Sequence, residues 1–236
     1  MKKVLVLEDE ENIRSFVVIN LKRAGYETIE AATGEEALTQ LKNNPGIKVA
    51  LLDVMLPDID GFEVCRRIRV TNNKIGIIML TARTQEMDKV TGLMTGADDY
   101  VTKPFNPIEV MARVKSQLRR YTTLGGRVQN DAADKDLLVN GGIELNDRTK
   151  TVTVDGEERS LTPLEYSILK LLMSHPGQVF STAQIYERVW NDPSYGSENT
   201  VAVHIRHLRE KIEIDPGNPR YIKVVWGLGY KMEKMV

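Results

Sequence analysis

The sequence predicts a doubly wound α/β sheet joined to a second, smaller α+β unit, and two patterns carry that prediction. Up to residue 121, short continuous apolar runs alternate with longer helical segments, the signature of parallel strands covered on both faces. Beyond residue 142, short antiparallel strands flank three helical patterns. A length of 236 residues accommodates two domains at roughly 150 residues each.

Apolar runs of strand length stand at Val4–Leu7, Val49–Leu52 and Ile75–Leu80, with a further strand at Asp99–Thr102. Amphipathic segments run over Asn12–Ala24, Gly34–Asn43, Gly61–Val70, Gln85–Thr95 and Asn106–Arg120. Thr33-Gly34-Glu35-Glu36 fits a capping box, with the Thr33 hydroxyl at the N-cap and Glu36 reaching back to its amide. From Thr122 to Gly142 the period lapses into Gly, Asn, Asp and Thr, which reads as a linker between residues 1–121 and 143–236. Ile143–Leu145 and Thr151–Val154 then form a hairpin around Asn146-Asp147-Arg148. Thr162-Pro163-Leu164-Glu165 announces a helix by N-cap, N1 proline and N3 glutamate. Helices are expected over Pro163–Ser174, Thr182–Trp190 and Asn199–Ile214, and a closing hairpin joins Tyr221–Val225 to Tyr230–Met232 through Trp226-Gly227-Leu228-Gly229.

A hydrophobic fraction of 42% and a charged fraction of 28% exclude a disordered, collagenous or disulfide-scaffold protein. The single cysteine, Cys65, has no internal partner, which suits a reducing compartment. The N-terminal apolar stretch ends at Glu8 after four residues, too short for a signal peptide or membrane span. The expectation is a cytoplasmic protein with no membrane partner. A net charge of −1 argues against a nucleic-acid partner only as a sum. Residues 131–165 carry a net −5, whereas residues 166–236 carry +2, with basic groups clustered at His204, Arg206, His207, Arg209 and Lys211.

Ligands of an open parallel sheet bind at the carboxyl ends of its strands. Glu8 and Asp9, Asp53, Thr81 and Lys103 each follow an apolar strand and so fall at that one edge. Three crowded carboxylates repel one another unless a cation sits among them, and hard oxygen ligands suit Mg²⁺. The set can hold a phosphoryl group on an aspartate: Asp53 as nucleophile, Mg²⁺ against the transferring oxygens, Thr81 and Lys103 on the remaining ones.

Residues 1 to about 121 resemble a response-regulator receiver domain of the CheY-like fold, strand order 2-1-3-4-5. The motifs are Glu8-Asp9, the run Leu51 to Gly61, Leu80-Thr81-Ala82 and Ala97 to Phe105. The resemblance implies that Asp53 accepts phosphate from a phosphohistidine of a sensor histidine kinase. It implies Mg²⁺ ligation by Asp9, Asp53 and the Met55 carbonyl, with Glu8 acting through water. Thr81 and Tyr100 would be the switch pair, Lys103 the phosphate's ion partner, and Lys103–Pro104 a cis bond. On the face made by the helix 85–95, the strand 99–102 and the helix 106–120, Lys89, Asp99, Glu109, Arg113 and Arg120 match positions forming intersubunit ion pairs in the OmpR/PhoB subfamily. Thr95 stands where that subfamily carries an acid to meet Arg113.

On the helix 199–214, Val201, Ile205, Leu208 and Ile212 recur at helical spacing and should face a core, leaving Arg206, His207 and Arg209 on other faces. Such a helix suits a major groove, cations meeting phosphates and side chains meeting base edges. Residues from about 143 to 232 resemble the winged helix-turn-helix effector of OmpR/PhoB-type transcription factors. The matching residues are Leu161 to Tyr166, His175 to Phe180, Val189-Trp190, Thr200 to Arg209 and Trp226 to Tyr230. By that resemblance His204, Arg206 and Arg209 bind phosphates, and His207 and Ala202 sit near base edges. Trp190, Thr200 and Tyr230 support backbone contact. Trp226 replaces an arginine often found in the wing, so stacking and packing stand beside minor-groove contact for it. His207 replaces an arginine and cannot grip guanine with a fork. The loop Asn191–Glu198 is where this family meets RNA polymerase.

The whole therefore reads as a transcriptional regulator that dimerises on phosphorylation and binds tandem half-sites in double-stranded promoter DNA, its only catalysis being its own Mg²⁺-dependent phosphorylation and dephosphorylation. A haloacid dehalogenase-type hydrolase needs a second Asp two residues after the nucleophile, and that position is Met55. A phosphorylation-independent DNA-binding protein would not need all of Asp9, Asp53, Thr81 and Lys103. The three histidines and Cys65 lack a zinc spacing.

Overall fold

A computed structural model describes residues 2–72, 74–82, 95–123, 136–191 and 198–235, with side chains except at 121–123 and 198–199. The chain divides into two compact units, Met1–Thr123 and Leu124–Val236. Among the described residues no helix is long and apolar enough to cross a membrane.

The first unit is a five-stranded parallel sheet in the order β2-β1-β3-β4-β5. Its strands are β1 Lys3–Leu7, β2 Glu27–Ala31, β3 Ile47–Asp53, β4 Gly76–Thr81 and β5 Asp99–Thr102. Its helices are α1 Glu11–Arg23, α2 Gly34–Asn43, α3 Gly61–Thr71 and α4 Pro107–Thr123. Alternate residues of β1, β3 and β4 enter opposite cores. Leu5, Leu7, Ala50, Leu52, Ile77 and Met79 pack with Val64 and Ile68 of α3, while Val4, Val6, Val49, Leu51, Ile78 and Leu80 pack with α1 and α4. That two-sided burial is why these strands read as unbroken apolar runs.

Strand β2 has no such run. It is an edge strand, Glu-Thr-Ile-Glu-Ala, with Glu30 exposed and only Ala31 buried. At α2 the Thr33 hydroxyl accepts the Glu36 N–H at 3.2 Å as expected, but the Glu36 carboxylate accepts the N–H of Ala32 at 2.8 Å, one residue earlier than a capping box requires. The helix expected over Gln85–Thr95, and Lys89 with it, lies outside the described residues apart from Thr95. Cys65 on α3 is fully buried, its Sγ 3.6 Å from the Thr95 carbonyl.

The second unit opens on an antiparallel sheet β6-β7-β8-β9, of Leu137–Asn140, Ile143–Asn146, Thr151–Val154 and Glu157–Glu158. Strand β6 occupies residues read as linker. It shows no apolar period because Leu137 and Val139 face outward, and it is held by pairing to β7 and by the Asn140 amide, which bonds the Glu233 carbonyl and the Met235 N–H at 2.9 Å each. Helices α5 Pro163–Met173, α6 Thr182–Trp190 and α7 Glu198–Ile212 follow, the first with the full Thr162–Glu165 capping box. A second sheet, β10-β12-β11, joins Val179–Phe180, Gly229–Met232 and Ile222–Val225. Gly229, at φ +135°, closes its hairpin, and a Cβ there would stand 2.1 Å from the Phe180 carbonyl oxygen. Helix α7 stops at Ile212 instead of Ile214, because the Glu213 side chain turns to backbone amides further on and Ile214 is solvent-exposed.

Candidate functional site

The carboxyl edge of the first sheet gathers Glu8 beyond β1, Asp53 at the end of β3, Thr81 at the end of β4 and Lys103 just past β5. Glu8, Asp53 and Thr81 are buried, and Asp9 is exposed beside them. Carboxylate oxygens of Glu8, Asp9 and Asp53 lie within 4.8 Å of one another. The Lys103 ammonium donates to Asp53 Oδ2 at 2.8 Å and stands 2.9 and 2.7 Å from the two Glu8 oxygens. Burial pushes the Glu8 carboxyl up to about 7, with the Lys103 bond opposing and the Asp53 charge reinforcing. Burial also works against the Lys103 ammonium, but its bonds to Asp53 and Glu8 outweigh that and hold it above the usual lysine value.

The backbone around this edge is closely fitted. The Met55 N–H donates to Asp53 Oδ1 at 3.3 Å, while the Met55 side chain points to solvent. Gly61 opens α3 against β3, and a Cβ on it would lie 2.0 Å from the Asp53 carbonyl oxygen. The Lys103–Pro104 peptide is cis. Two contributors escaped sequence reasoning. Arg14 of α1 donates to the carbonyls of Glu8 and Asp9 at 2.7 and 3.3 Å. Asp58 accepts the N–H groups of Gly34 and Glu35 at 3.0 Å each, tying the loop after β3 to the start of α2. Asp58 lies in the Leu51 to Gly61 run, where the sequence assigned it no role of its own, and Arg14 had no signal.

Tyr100 on β5 is half-buried against the core shared with α2 and α3. The charged residues implied for subunit pairing are engaged within the chain. Arg113 binds Asp99 and Glu109, and Arg120, only 7% exposed, bonds Gln117 and Ser116 of its own helix. Lys89 lies outside the described residues.

In the second unit α7 buries Val201, Ile205, Leu208 and Ile212 as expected. Trp190, Thr200 and His204, implied by resemblance as DNA-facing, are buried in this unit at 1%, 1% and 2% exposed. Trp190 stacks on Tyr186 at 4.7 Å, and the His204 ring packs 5.5 Å from the Trp190 ring. Arg209 donates through Nε and Nη2 to the Ile222 carbonyl at 3.2 and 2.7 Å, so its fork faces the hairpin. Arg206 is exposed and pairs with Glu210 at 3.1 Å; Ala202, His207 and Tyr230 are half-buried; Trp226 at the hairpin tip is 94% exposed. The loop Asn191–Glu198 lies largely outside the described residues.

A parallel sheet with an acid-and-lysine edge, followed by a helical unit with a β-hairpin wing, defines a class of signalling protein, and comparison with known proteins agrees. A family model described as response regulator receiver domain matches residues 4–115, and one described as transcriptional regulatory protein, C terminal, matches residues 156–232. The chain is 43% identical to the regulatory protein VanR of Enterococcus faecium, over 98% of this chain and 99% of VanR. It is 42% identical to the alkaline phosphatase synthesis transcriptional regulatory protein PhoP of Bacillus subtilis, over 99% and 97%. Among solved structures, a RitR mutant aligns at TM-score 0.74 with 26% identity, over 99% of this chain and 100% of that one. Response regulator DrrB, described as an OmpR/PhoB homolog of Thermotoga maritima, aligns at 0.50 with 35% identity, over 99% of both. The chain belongs to the OmpR/PhoB family of two-component response regulators, with a receiver domain and a winged-helix DNA-binding domain that regulates transcription.

Proposed function

We propose that Asp53 is the phosphoacceptor: one of its carboxylate oxygens attacks the phosphohistidine of a sensor histidine kinase, the O–P bond forming as the N–P bond breaks. The observation that carries this reading is the Lys103 ammonium, 2.8 Å from Asp53 and in position to pair with phosphoryl oxygens. The donor set fits Mg²⁺, since three carboxylates crowd within 4.8 Å where, among the described residues, the Lys103 ammonium is bonded to two of them. Asp9, Asp53 and the Met55 carbonyl would hold the ion, with Glu8 behind them. When bound, it supplies charge neutralisation for the transferring phosphoryl group. This chain's own residues then orient and hold: Asp53 provides the nucleophile, Thr81 a hydroxyl donor, and Lys103 the counter-charge. The same constellation supports self-catalysed phosphorylation from a small acyl phosphate, and hydrolysis of the product.

The added charge on Asp53 draws the Thr81 hydroxyl inward and lets Tyr100 follow, biasing the face of β5 and α4 toward a second copy. Two copies would place two α7 helices on tandem half-sites of promoter DNA, with Ala202 and His207 near base edges and Arg206 near phosphate, and Trp226 and Tyr230 of the wing alongside. RNA polymerase would meet the 191–198 loop. The test treats full-length protein and D53A with acetyl phosphate and Mg²⁺, then measures oligomeric state and affinity for duplexes selected from random sequence. Phosphate-dependent dimerisation and tighter binding should appear only with Asp53 present. Their persistence in D53A would overturn the mechanism.

A further inference from the structure

The groups that join α7 to the wing come from a single helical turn and the residue after it. Strand β11 is the outer strand of its sheet, so part of its backbone lacks a strand partner on one side. At Ile222 both polar groups are taken by side chains from the end of α7. Its N–H donates to Glu213 Oε1 at 2.8 Å, and its carbonyl accepts from Arg209 Nη2 at 2.7 Å and Nε at 3.2 Å. The Glu213 carboxylate, 8% exposed, also accepts the N–H of Arg220 at 2.6 Å and of Tyr221 at 2.9 Å. The Arg209 guanidinium lies 6.0 Å from the Tyr230 ring on β12. A buried carboxylate satisfied by three consecutive amides leaves that chain entry no latitude, because each amide would be orphaned if the strand rotated.

The consequence is mechanical. Trp226 sits four residues beyond Ile222, roughly 13 Å along an extended strand, so a rotation of about 10° at the clamp would carry the tip about 2 Å. We propose that Glu213 and Arg209 are positioning residues for DNA binding, setting where the wing stands relative to α7 without either side chain touching DNA. This rests on the reading of α7 as the groove-binding helix.

The experiment uses the full chain, phosphorylated with acetyl phosphate, and a duplex selected from random sequence. Affinity is measured across a KCl series, hydroxyl-radical cleavage reports the wing's minor groove, and guanine N7 methylation reports the major groove. E213Q, which cannot accept from three amides, should bind about tenfold more weakly with an unchanged salt slope. It should lose hydroxyl-radical protection under the wing while keeping N7 protection. R209K, which keeps the charge but loses the fork, should behave likewise. Wild-type affinity and an intact wing footprint in both variants would overturn the proposal. So would full binding by R209K together with a salt slope about 0.9 shallower in R209M, since that pattern marks a phosphate contact. Fold is verified by urea midpoint; if E213Q is unfolded, E213D decides, a weakened wing footprint supporting the clamp and an intact one refuting it. R206A separates the two readings. Its slope should fall by about 0.9, and an unchanged slope would count against α7 itself rather than the clamp.

Discussion

Arg113 Nη1 donates to both carboxylate oxygens of Asp99, each at 2.8 Å, and so bolts α4 to the edge strand β5. Burial pushes the Asp99 carboxyl up, and the Arg113 charge and hydrogen bonds oppose that. Removing Arg113 strands a buried carboxylate. R113A is expected to lose about 3–5 kcal/mol of receiver stability, and the double variant D99N/R113M to recover part of it. Urea unfolding at pH 7 measures both; a loss in R113A below about 1 kcal/mol would mean the pair behaves as a surface ion pair.

Gly61 offers a second test. A methyl group there would collide with the Asp53 carbonyl, and backbone cannot step aside as a flexible side chain can. G61A should destabilise the receiver by about 1–3 kcal/mol or more and slow phosphorylation at Asp53, read on phosphate-affinity gels. Wild-type phosphorylation in a folded G61A would show that the 53–61 loop tolerates displacement.

Asp147 gives the pH dependence. Burial works against its carboxylate, but hydrogen bonds from Lys150, Lys170 and Tyr166 outweigh it and bring the group to about 2. A depressed carboxyl contributes stability in full above its unfolded value near 3.9, and that contribution is lost as pH falls toward about 2. D147N should therefore cost about 1 kcal/mol at neutral pH, allowing for solvent screening, and flatten the loss of stability between about pH 4 and 2. Both tryptophans, Trp190 and Trp226, belong to this unit, so fluorescence excited selectively at tryptophan reports it alone. Parallel pH profiles for D147N and wild type would contradict the assignment.

Trp226 is 94% exposed at the tip of its hairpin and makes little packing contact with the described residues of its own unit. W226A should leave the unfolding midpoint unchanged within about 0.5 kcal/mol while weakening binding to the selected duplex roughly tenfold. Equal affinity in W226A would remove the indole from the DNA contacts.

What was legible in the sequence follows from how each residue is buried. Val4–Leu7 and Val49–Leu52 announced themselves because both faces of those strands are covered. Strand β2 did not, since Glu27 and Glu30 break the run at the sheet's edge. The acid-and-lysine edge was readable because parallel strands deliver their last residues to one side whatever the helices do. The burial of His204 was legible in its spacing, since it lies three residues after Val201 and four before Leu208, on the apolar stripe. Glu213 was invisible because its partners are backbone amides seven to nine residues on, and amides carry no sequence signal.

Cys65 turns its own burial into a clock. Its thiol is fully enclosed, and burial pushes its pKa up to about 11, so the folded receiver presents almost no reactive thiolate. Because it is the chain's one cysteine, every molecule that takes up a thiol reagent has opened the receiver around α3. With reagent in enough excess to outpace reclosing, the rate of labelling counts openings of that domain, one molecule at a time, and its slowing under acetyl phosphate would express phosphorylation as a lifetime.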